Sequence, residues 1–253
     1  TDPNLQSKRA DSSQRSAWFD VACCPNNIAR TLASLGSYLA TRNESGLQIH
    51  QYVDADLEIT ARGGDRVKVR MATKYPEDGT VSITILETPA HPWTLSLRVP
   101  EWAEGAKVAV QGDFLDVQSG YVQLARHFRA GDEITLILPL APRLVVADPR
   151  IDAVHGSYAV EVGPRVYCLE SAAMPTGQHV DDFVQDPDVA PQLNEDSTVS
   201  VQGRLGSVEQ KQAWPYGPSH SEEGTVPVNL DLIPYHAWGN RGPVSMRIWL
   251  RGE

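Results

Sequence analysis

The sequence predicts a mainly β protein in which one helix precedes two β-sandwich units of the jelly-roll kind. Apolar residues recur at helical spacing in one stretch only, residues 26–41. From residue 47 onward, short alternating segments follow one another roughly every ten residues, which is typical of antiparallel sandwiches. A proline-marked break across residues 140–150 separates these segments into two sets. The 253 residues suffice for one large domain or two smaller ones.

The helix is predicted over about residues 25–41. Its apolar residues lie three and four positions apart and so share one face: Ile28, Leu32, Leu35 and Leu39. Pro25 suits the first helical turn, where a backbone N–H is not needed, and a neighbouring asparagine can cap the helix. The turn-like stretch 43–46 is expected to follow its end.

Alternation between apolar and polar residues predicts the strands. Before the break, the alternating segments are 47–53, 66–75, 80–87, 93–100, 107–110, 121–126 and 133–140. After the break, the extended segments are 157–163, 165–171, 199–203, 228–238 and 245–252. Two stretches rich in polar residues, Pro and Gly are predicted to be connections: 174–196 and 214–224.

Charge and hydropathy restrict the classes of partner. The formal net charge is −10, from 22 basic and 32 acidic residues, and the basic residues do not cluster. Nucleic acids and anionic membranes are therefore not expected partners. No apolar run approaches the length of a transmembrane helix. A neutral ligand such as a sugar is compatible with this balance.

Two of the three cysteines, Cys23 and Cys24, are neighbours at the predicted start of the helix. Three interpretations are open: small buried residues, a strained vicinal disulfide, or thiolates favoured by the partial positive charge of a helix N-terminus. A thiolate there could bind zinc or attack carbon, but zinc normally takes four ligands. Cys168 lies in a strand-like segment and is predicted to be a core residue.

The odd number of cysteines favours free thiols or a metal site over a disulfide framework. Free thiols indicate a reducing compartment, so we expect a cytoplasmic location. The chain starts with TDPNLQSKRA, without Met and without the pattern of a signal peptide. We therefore expect it to be the C-terminal part of a longer protein.

Four sequence blocks, spread over nearly the whole chain, carry a family resemblance. They are ACCPNNIARTLASLGSYLAT (22–41), GYVQLARHFRAGDEITLILPLAPRLV (120–145), AVEVGPRVYCLE (159–170) and LIPYHAWGNRGPVSMRIWL (232–250). In this order they resemble motifs of glycoside hydrolase family 127, the β-L-arabinofuranosidase family. The first block departs from the typical CCPPNIAR motif at Asn26, where the family has a second proline.

The resemblance implies an (α/α)6 catalytic barrel followed by β-sandwich domains. Residues 1–41 would then be the C-terminal end of the barrel, and the rest of the barrel would lie upstream of this chain. Residues 42–143, completed by residues 232–253, would form the first sandwich. Residues 144–231 would form the second.

The resemblance also implies a retaining, zinc-dependent glycoside hydrolase that acts on β-L-arabinofuranosides or a related sugar. By the motif match, Cys23 would be both the nucleophile and a zinc ligand, and Cys24 would be a second zinc ligand. Zinc would keep the thiol deprotonated, so that the thiolate could attack the anomeric carbon. The other ligands and the acid/base glutamate would lie upstream, so the chain alone is expected to be inactive.

The expected partners are a carbohydrate substrate and the missing N-terminal barrel of the same protein. Two other functions compete with the enzyme: a carbohydrate-binding sandwich module, and structural sandwiches that brace the barrel or a homodimer. A platform of exposed tryptophans would favour the binding module, although core packing is the more usual role of the candidates: Trp93, Trp102, Trp214, Trp238 and Trp249.

Two further groups of residues attract attention in the sequence. The glutamates that could form a catalytic carboxylate pair are predicted instead at sheet edges or turns: Glu58, Glu87, Glu101 and Glu170. His236 stands where the resembled family often has a second tyrosine, so it is expected to fill an aromatic packing slot rather than to act in catalysis.

Overall fold

The computed structural model describes residues 23–60, 64–206 and 225–252. Within these residues the chain forms nineteen β-strands and one α-helix, which confirms the mainly β fold class. The chain divides into two units, of which the first ends at Leu140 and the second begins at Ala141. None of the helices in the described segments has the length and hydropathy of a membrane span.

The helix α1 spans Cys23–Ser34, and a 3-10 turn follows over Leu35–Tyr38. The predicted end near Thr41 is therefore wrong, since that residue already lies in a strand. Gly36 opposes continuation of the helix, at a cost of about 1 kcal/mol relative to alanine. The carbonyl of Leu39 instead accepts hydrogen bonds from the backbone N–H groups of His50 and Gln51.

The first unit contains ten strands in two sheets. In chain order they are β1 (Ala40–Arg42), β2 (Gly46–Ile49), β3 (Ala55–Thr60), β4 (Arg66–Thr73), β5 (Thr80–Glu87), β6 (Trp93–Val99), β7 (Lys107–Val110), β8 (Asp113–Asp116), β9 (Gly120–Arg126) and β10 (Glu133–Ile137). One sheet has the order β1-β2-β6-β9, and the other has the order β3-β4-β5-β10-β7-β8. The pairing of β2 with β6 is parallel, and the other pairings are antiparallel.

Alternating apolar residues from both sheets build one core. In β5 every second residue is buried, and in β6 the inward side chains are likewise buried. Residues with no exposed surface come from both sheets: Ile49, Leu95 and Leu97 from one, Val69, Ile83, Ile85, Ile134 and Leu136 from the other. Because a single apolar cluster joins them, the first unit is a β-sandwich.

The second unit contains nine strands. They are β11 (Pro142–Val146), β12 (Ser157–Val162), β13 (Arg165–Glu170), β14 (Phe183–Gln185), β15 (Gln192–Leu193), β16 (Val199–Leu205), β17 (Val226–Pro234), β18 (Met246–Arg247) and β19 (Leu250–Gly252). The order is β11-β12-β19-β14-β16-β17-β13-β18, with β15 beside β16. Since β13 also pairs with β12, the path of pairing returns on itself.

The final segment belongs to the second unit, so the expectation that residues 232–253 complete the first sandwich is wrong. β18 pairs with β13, and β19 pairs with β12 and β14. Residue 232 is not a boundary either, because it lies within β17, which pairs with β16 from Leu205↔Val226 to Val199↔Leu232. Local alternation marks such a strand but does not identify its partner.

Of the two predicted connections, one contains strands and the other lies outside the described residues. The stretch 174–196 contains β14 and β15, so describing it as loop alone is wrong. The stretch 214–224 lies outside the described residues. Strands β3, β8 and β11 were not predicted. In β8 all four residues are exposed, so the strand carries no alternation between buried and exposed positions.

Candidate functional site

The adjacent thiols open the helix α1. Cys23 and Cys24 are its first two residues, and Pro25 follows within the first turn. Both thiols are free and exposed, and their Sγ atoms lie 3.7 Å apart. That separation is far longer than a disulfide bond of about 2.04 Å. Of the three interpretations that the sequence left open, buried small residues and a vicinal disulfide do not match this geometry.

The Cys23 thiol opposes the ionisation of Cys24. The pKa of Cys24 is raised, first by its hydrogen bond with Cys23 and then by the charge of the Cys23 thiolate. A helix N-terminus acts in the opposite direction, since its partial positive charge favours a thiolate. Because a raised thiol pKa means a retained proton at neutral pH, a nearby cation would favour the ionised form of Cys24.

The spacing of the pair fits two ligands of one zinc ion. A tetrahedral zinc ion with Zn–S distances of about 2.3 Å places two sulfur ligands about 3.8 Å apart. The Sγ atoms lie 3.7 Å apart and need little movement to meet that geometry. However, no group of three or more His, Cys, Asp or Glu side chains that could hold a metal occurs in the part of the chain that the structure describes. The pair thus supplies half of a zinc shell.

Side-chain hydrogen bonds brace the turns of α1 that follow the thiols. Arg30 Nη1 donates to Asn27 Oδ1 at 2.9 Å, and Thr31 Oγ1 donates to the Asn27 carbonyl at 2.9 Å. Farther along, Ser34 Oγ donates to the Arg30 carbonyl at 3.0 Å. These bonds lie on the polar side of the helix. The opposite face is apolar and open, since Leu32 is 66% exposed and Ile28 is 60% exposed.

The third cysteine is a core residue, as predicted. Cys168 has no exposed surface and lies in an apolar cluster with Trp238 and Val244. Beside this cluster the rings of Tyr235 and Trp238 stack with centroids 6.1 Å apart. His236 is exposed on the 3-10 turn between them. Because the His236 side chain is exposed, the expectation that it fills a packed aromatic slot is wrong.

Two of the glutamates lie on either side of one arginine, and a third is buried elsewhere. Glu58 and Glu87 lie on the exposed face of the six-stranded sheet, and both approach Arg66. Glu170 ends β13 and directly precedes the 3-10 turn Ser171–Ala173, which confirms its predicted place at a turn, but its side chain is only 3% exposed. It accepts hydrogen bonds from the Gly239 backbone N–H at 3.0 Å and from Arg241 Nη2 at 2.5 Å.

The Glu170–Arg241 contact is a structural feature that the sequence did not predict. It joins two of the recognised sequence blocks, 159–170 and 232–250, across 71 positions of the chain. The sequence feature that could have indicated this contact is a glutamate at the end of an apolar strand, because a buried carboxylate requires a charged or N–H partner.

The prediction that the tryptophans pack in the core is confirmed for Trp93 and Trp238, which are both buried. Trp102 and Trp249 are half-buried, and Trp214 lies outside the described residues.

Comparison with protein families assigns both units. The model described as "Beta-L-arabinofuranosidase, GH127 middle domain" matches residues 46–140. The model described as "Glycoside hydrolase family 127 C-terminal domain" matches residues 142–251. The junction between the two matches coincides with the division of the structure after Leu140.

Individual relatives agree with this assignment. A curated "Non-reducing end beta-L-arabinofuranosidase" from Bifidobacterium longum subsp. longum is 31% identical over 258 residues, which cover 94% of this chain and 38% of that protein. The crystal structure of a GH127 β-L-arabinofuranosidase from Geobacillus stearothermophilus T6 superposes with a TM-score of 0.81 at 32% identity, over 99% of this chain and 40% of that one.

A second solved GH127 β-arabinofuranosidase superposes with a TM-score of 0.74 at 26% identity. This match covers 95% of the present chain and 40% of the other chain. The chain thus spans about two fifths of the length of the relatives that it matches.

Proposed function

Because the chain belongs to glycoside hydrolase family 127, of which it carries the middle and C-terminal domains, we propose that it serves a retaining β-L-arabinofuranosidase with Cys23 as the nucleophile. The observation that carries the proposal is the pair of free, exposed thiols at the start of α1, with their Sγ atoms 3.7 Å apart. The relatives named above as β-L-arabinofuranosidases support the class of sugar.

In the proposed reaction, the Cys23 thiolate attacks the anomeric carbon of the sugar. The S–C bond forms while the C–O bond to the leaving group breaks, and a general acid protonates the departing oxygen. Water then displaces the sulfur with help from the same group, so two inversions give net retention. Zinc, when bound between Cys23 and Cys24, would hold both sulfurs deprotonated at neutral pH.

Cys24 is proposed to be a ligand rather than the nucleophile. Its pKa is raised by the hydrogen bond with Cys23, and a bound zinc ion would offset this by favouring the thiolate. The assignment of Cys23 as the attacking group comes from the match to the family's cysteine motif.

The remaining catalytic groups are proposed to come from the part of the relatives that this chain does not match. Among the described glutamates, Glu58 contacts Arg66 and Glu170 contacts Arg241. Each of these two carboxylates is thus engaged in an ion pair with an arginine. The exposed apolar face of α1, with Ile28 and Leu32, supports the proposal that residues 1–41 end an (α/α)6 barrel. The 253-residue chain alone is accordingly proposed to be inactive.

The direct test is hydrolysis of an aryl β-L-arabinofuranoside by the protein with its complete N-terminal region. We expect turnover, and we expect ¹H NMR to show the β-anomer as the first product. An α-anomer as the first product would overturn the retaining mechanism. Turnover by the isolated 253-residue chain would overturn the proposal that the acid/base group and the other zinc ligands lie outside it.

A further inference from the structure

The four-stranded sheet of the first unit presents an outer face made of polar side chains. The pairing register places Thr41 beside Gln48, Gln48 beside Ser96, and Ser96 beside Gln123. These positions alternate with the apolar core positions of the same strands; Thr41, Gln48 and Gln123 are exposed or partly exposed, whereas the small Ser96 between them is only 4% exposed. Their side chains therefore form one row across the sheet, on the face away from the core.

A second row on the same face contains His50, Arg98 and Tyr121. Arg98 and Tyr121 are cross-strand partners in β6 and β9, and His50 directly follows β2. The His50 and Tyr121 rings meet edge to face, with centroids 5.7 Å apart. Tyr121 is 47% exposed, so one side of an aromatic ring is open on an otherwise polar surface.

A chain of hydrogen bonds joins the two rows, and each group in it donates to the next. Thr41 Oγ1 donates to Gln48 Oε1 at 3.0 Å, so the Thr41 oxygen must accept from His50 Nε2, which lies 2.7 Å away. With its proton on Nε2, His50 accepts at Nδ1 from the Tyr121 hydroxyl, 2.6 Å away. This chain of bonds fixes the orientation of Tyr121 before any ligand arrives, which lowers the entropic cost of binding.

The second row continues into a groove, here called the sheet groove. Its volume is 520 Å³, and its lining includes Arg98, Pro100, Glu101, Trp102, Ser119 and Tyr121. Ligand sites commonly have volumes of about 300–1,000 Å³. Gly120 forms part of the lining and has open space where a Cβ would stand, so its backbone is accessible to a ligand.

The chemistry of the sheet groove fits a neutral polyhydroxylated ligand. Arg98 and Glu101 balance each other's charge, so neither an anion nor a cation is favoured. Their planar ends, like the amide of Gln123, can form paired hydrogen bonds with neighbouring hydroxyl groups. The open ring of Tyr121 offers a surface against which the C–H face of a sugar can stack.

A protein partner fits this face less well than a sugar does. On the two polar rows Tyr121 is the large exposed side chain with apolar surface, whereas Ile28 and Leu32, which are also exposed, lie on α1. Stable protein interfaces place apolar and aromatic residues at their centre and deplete charged ones there. The centre of this face instead holds Gln48, Arg98 and Gln123. A small polar ligand can satisfy the hydrogen-bonding groups of these side chains more readily than an apolar protein surface can.

We propose that the sheet groove and the two polar rows form a binding site for neutral oligosaccharides. The choice of an arabinofuranose-containing ligand rests on the proposed function, whereas the binding of a neutral sugar does not. Stacking on Tyr121 and hydrogen bonds to Arg98, Glu101 and Gln123 would hold the sugar. Contacts of this kind on an open surface give weak affinity, with Kd on the order of 1 mM.

The test is saturation-transfer difference NMR on the 253-residue chain with methyl β-L-arabinofuranoside, cellotriose and polygalacturonate as separate probes. We expect saturable binding of at least one neutral probe and none of the acidic polymer. Tyr121→Ala should weaken that binding about tenfold, because it removes the stacking surface. Tyr121→Phe keeps the ring and loses the bond to His50, so a smaller change of about threefold is expected.

Tyr235→Ala is the matched control, because Tyr235 is 41% exposed but lies in the second unit. It should leave the affinity unchanged. Gln123→Ala tests the polar row independently if Tyr121→Ala alters the melting temperature. Absence of binding by both neutral probes up to 20-fold above the expected Kd would overturn the proposal, and so would full affinity in Tyr121→Ala and Gln123→Ala.

The two proposals fail in different ways. Binding of neutral sugars that depends on Tyr121, in a protein whose complete form does not hydrolyse arabinofuranosides, would overturn the proposed function and support the sheet groove. Hydrolysis that depends on Cys23, without any sugar binding at this face, would support the proposed function and overturn the sheet groove. Binding of cellotriose but not of the arabinofuranoside would support the groove and overturn the choice of sugar.

Discussion

The cysteine pair of α1 and a cluster in the second unit, here called the buried corner, differ in how far their reactive groups are covered and hydrogen-bonded. The buried corner consists of Cys168, Glu170 and Trp238, and the exposed Arg241 contacts it through Glu170. There a carboxylate that is 3% exposed receives a backbone N–H and a guanidinium, and the thiol is covered by apolar side chains. At the start of α1 two thiols are exposed and contact each other.

This contrast separates a structural pair from two thiols that we propose serve chemistry. A buried polar group with partners stabilises the fold and is chemically unreactive. The exposed thiols have a raised pKa at Cys24, and among the described residues no group of three or more possible metal ligands occurs. Substitutions in the two regions should therefore have different effects.

The largest effect concerns turnover in the protein with its complete N-terminal region. Cys23→Ser should lower kcat by about 10⁴-fold or more, because a serine hydroxyl remains protonated where a thiol ionises. Cys24→Ser should lower the zinc content and kcat together. Cys168→Ser, in the buried corner, should leave the turnover of the folded enzyme unchanged. Full activity in Cys23→Ser would show that the motif match names the wrong nucleophile.

The second effect concerns the thiols of the 253-residue chain. A thiol reagent should modify Cys23 and Cys24 at least about 100-fold faster than Cys168, because Cys168 reacts only when its surroundings open. Mass spectrometry of partly labelled protein can assign the sites. In denaturant the three rates should become similar. A fast reaction of Cys168 in the native chain would contradict its place in the core.

The third effect concerns stability. Glu170→Ala should reduce the free energy of unfolding by about 2 kcal/mol, because the Gly239 N–H loses a buried partner. Breaking a fully buried pair costs about 3–5 kcal/mol, but the Arg241 side chain is 64% exposed and can be hydrated. Glu58→Ala is the matched control on the sheet surface and should cost under about 0.5 kcal/mol. Equal losses in urea denaturation would refute the comparison.

The smallest effect concerns the coupling between the two thiols. In Cys23→Ala the pKa of Cys24 should fall, because the hydrogen bond and the charge that raise it are gone. A lower pKa means more thiolate, so Cys24 should react a few-fold faster near pH 8 in Cys23→Ala than in the unmodified chain. The rates should converge at high pH, where the thiol is ionised in both proteins. A slower reaction near pH 8 would contradict the coupling.

Much of the first unit could be predicted from local alternation alone. The predicted strands 80–87 and 93–100 correspond to β5 (Thr80–Glu87) and β6 (Trp93–Val99). The missed strand β8 has no buried residue, so it lacks the signal on which the prediction depends. The position of the cysteine pair at a helix start was predicted, although the helix begins at Cys23 itself and ends at Ser34.

The β class, the family and the position of the thiols could be read from the chain, because periodicity and motifs are local properties. The folded structure was needed to show that β18 and β19 join the second unit and that Glu170 meets Arg241 across 71 positions. The same holds for the contact of His50 with Tyr121, likewise 71 positions away. Such contacts depend on which strands pair and in which register, and many partners satisfy the same local pattern until the whole core is packed.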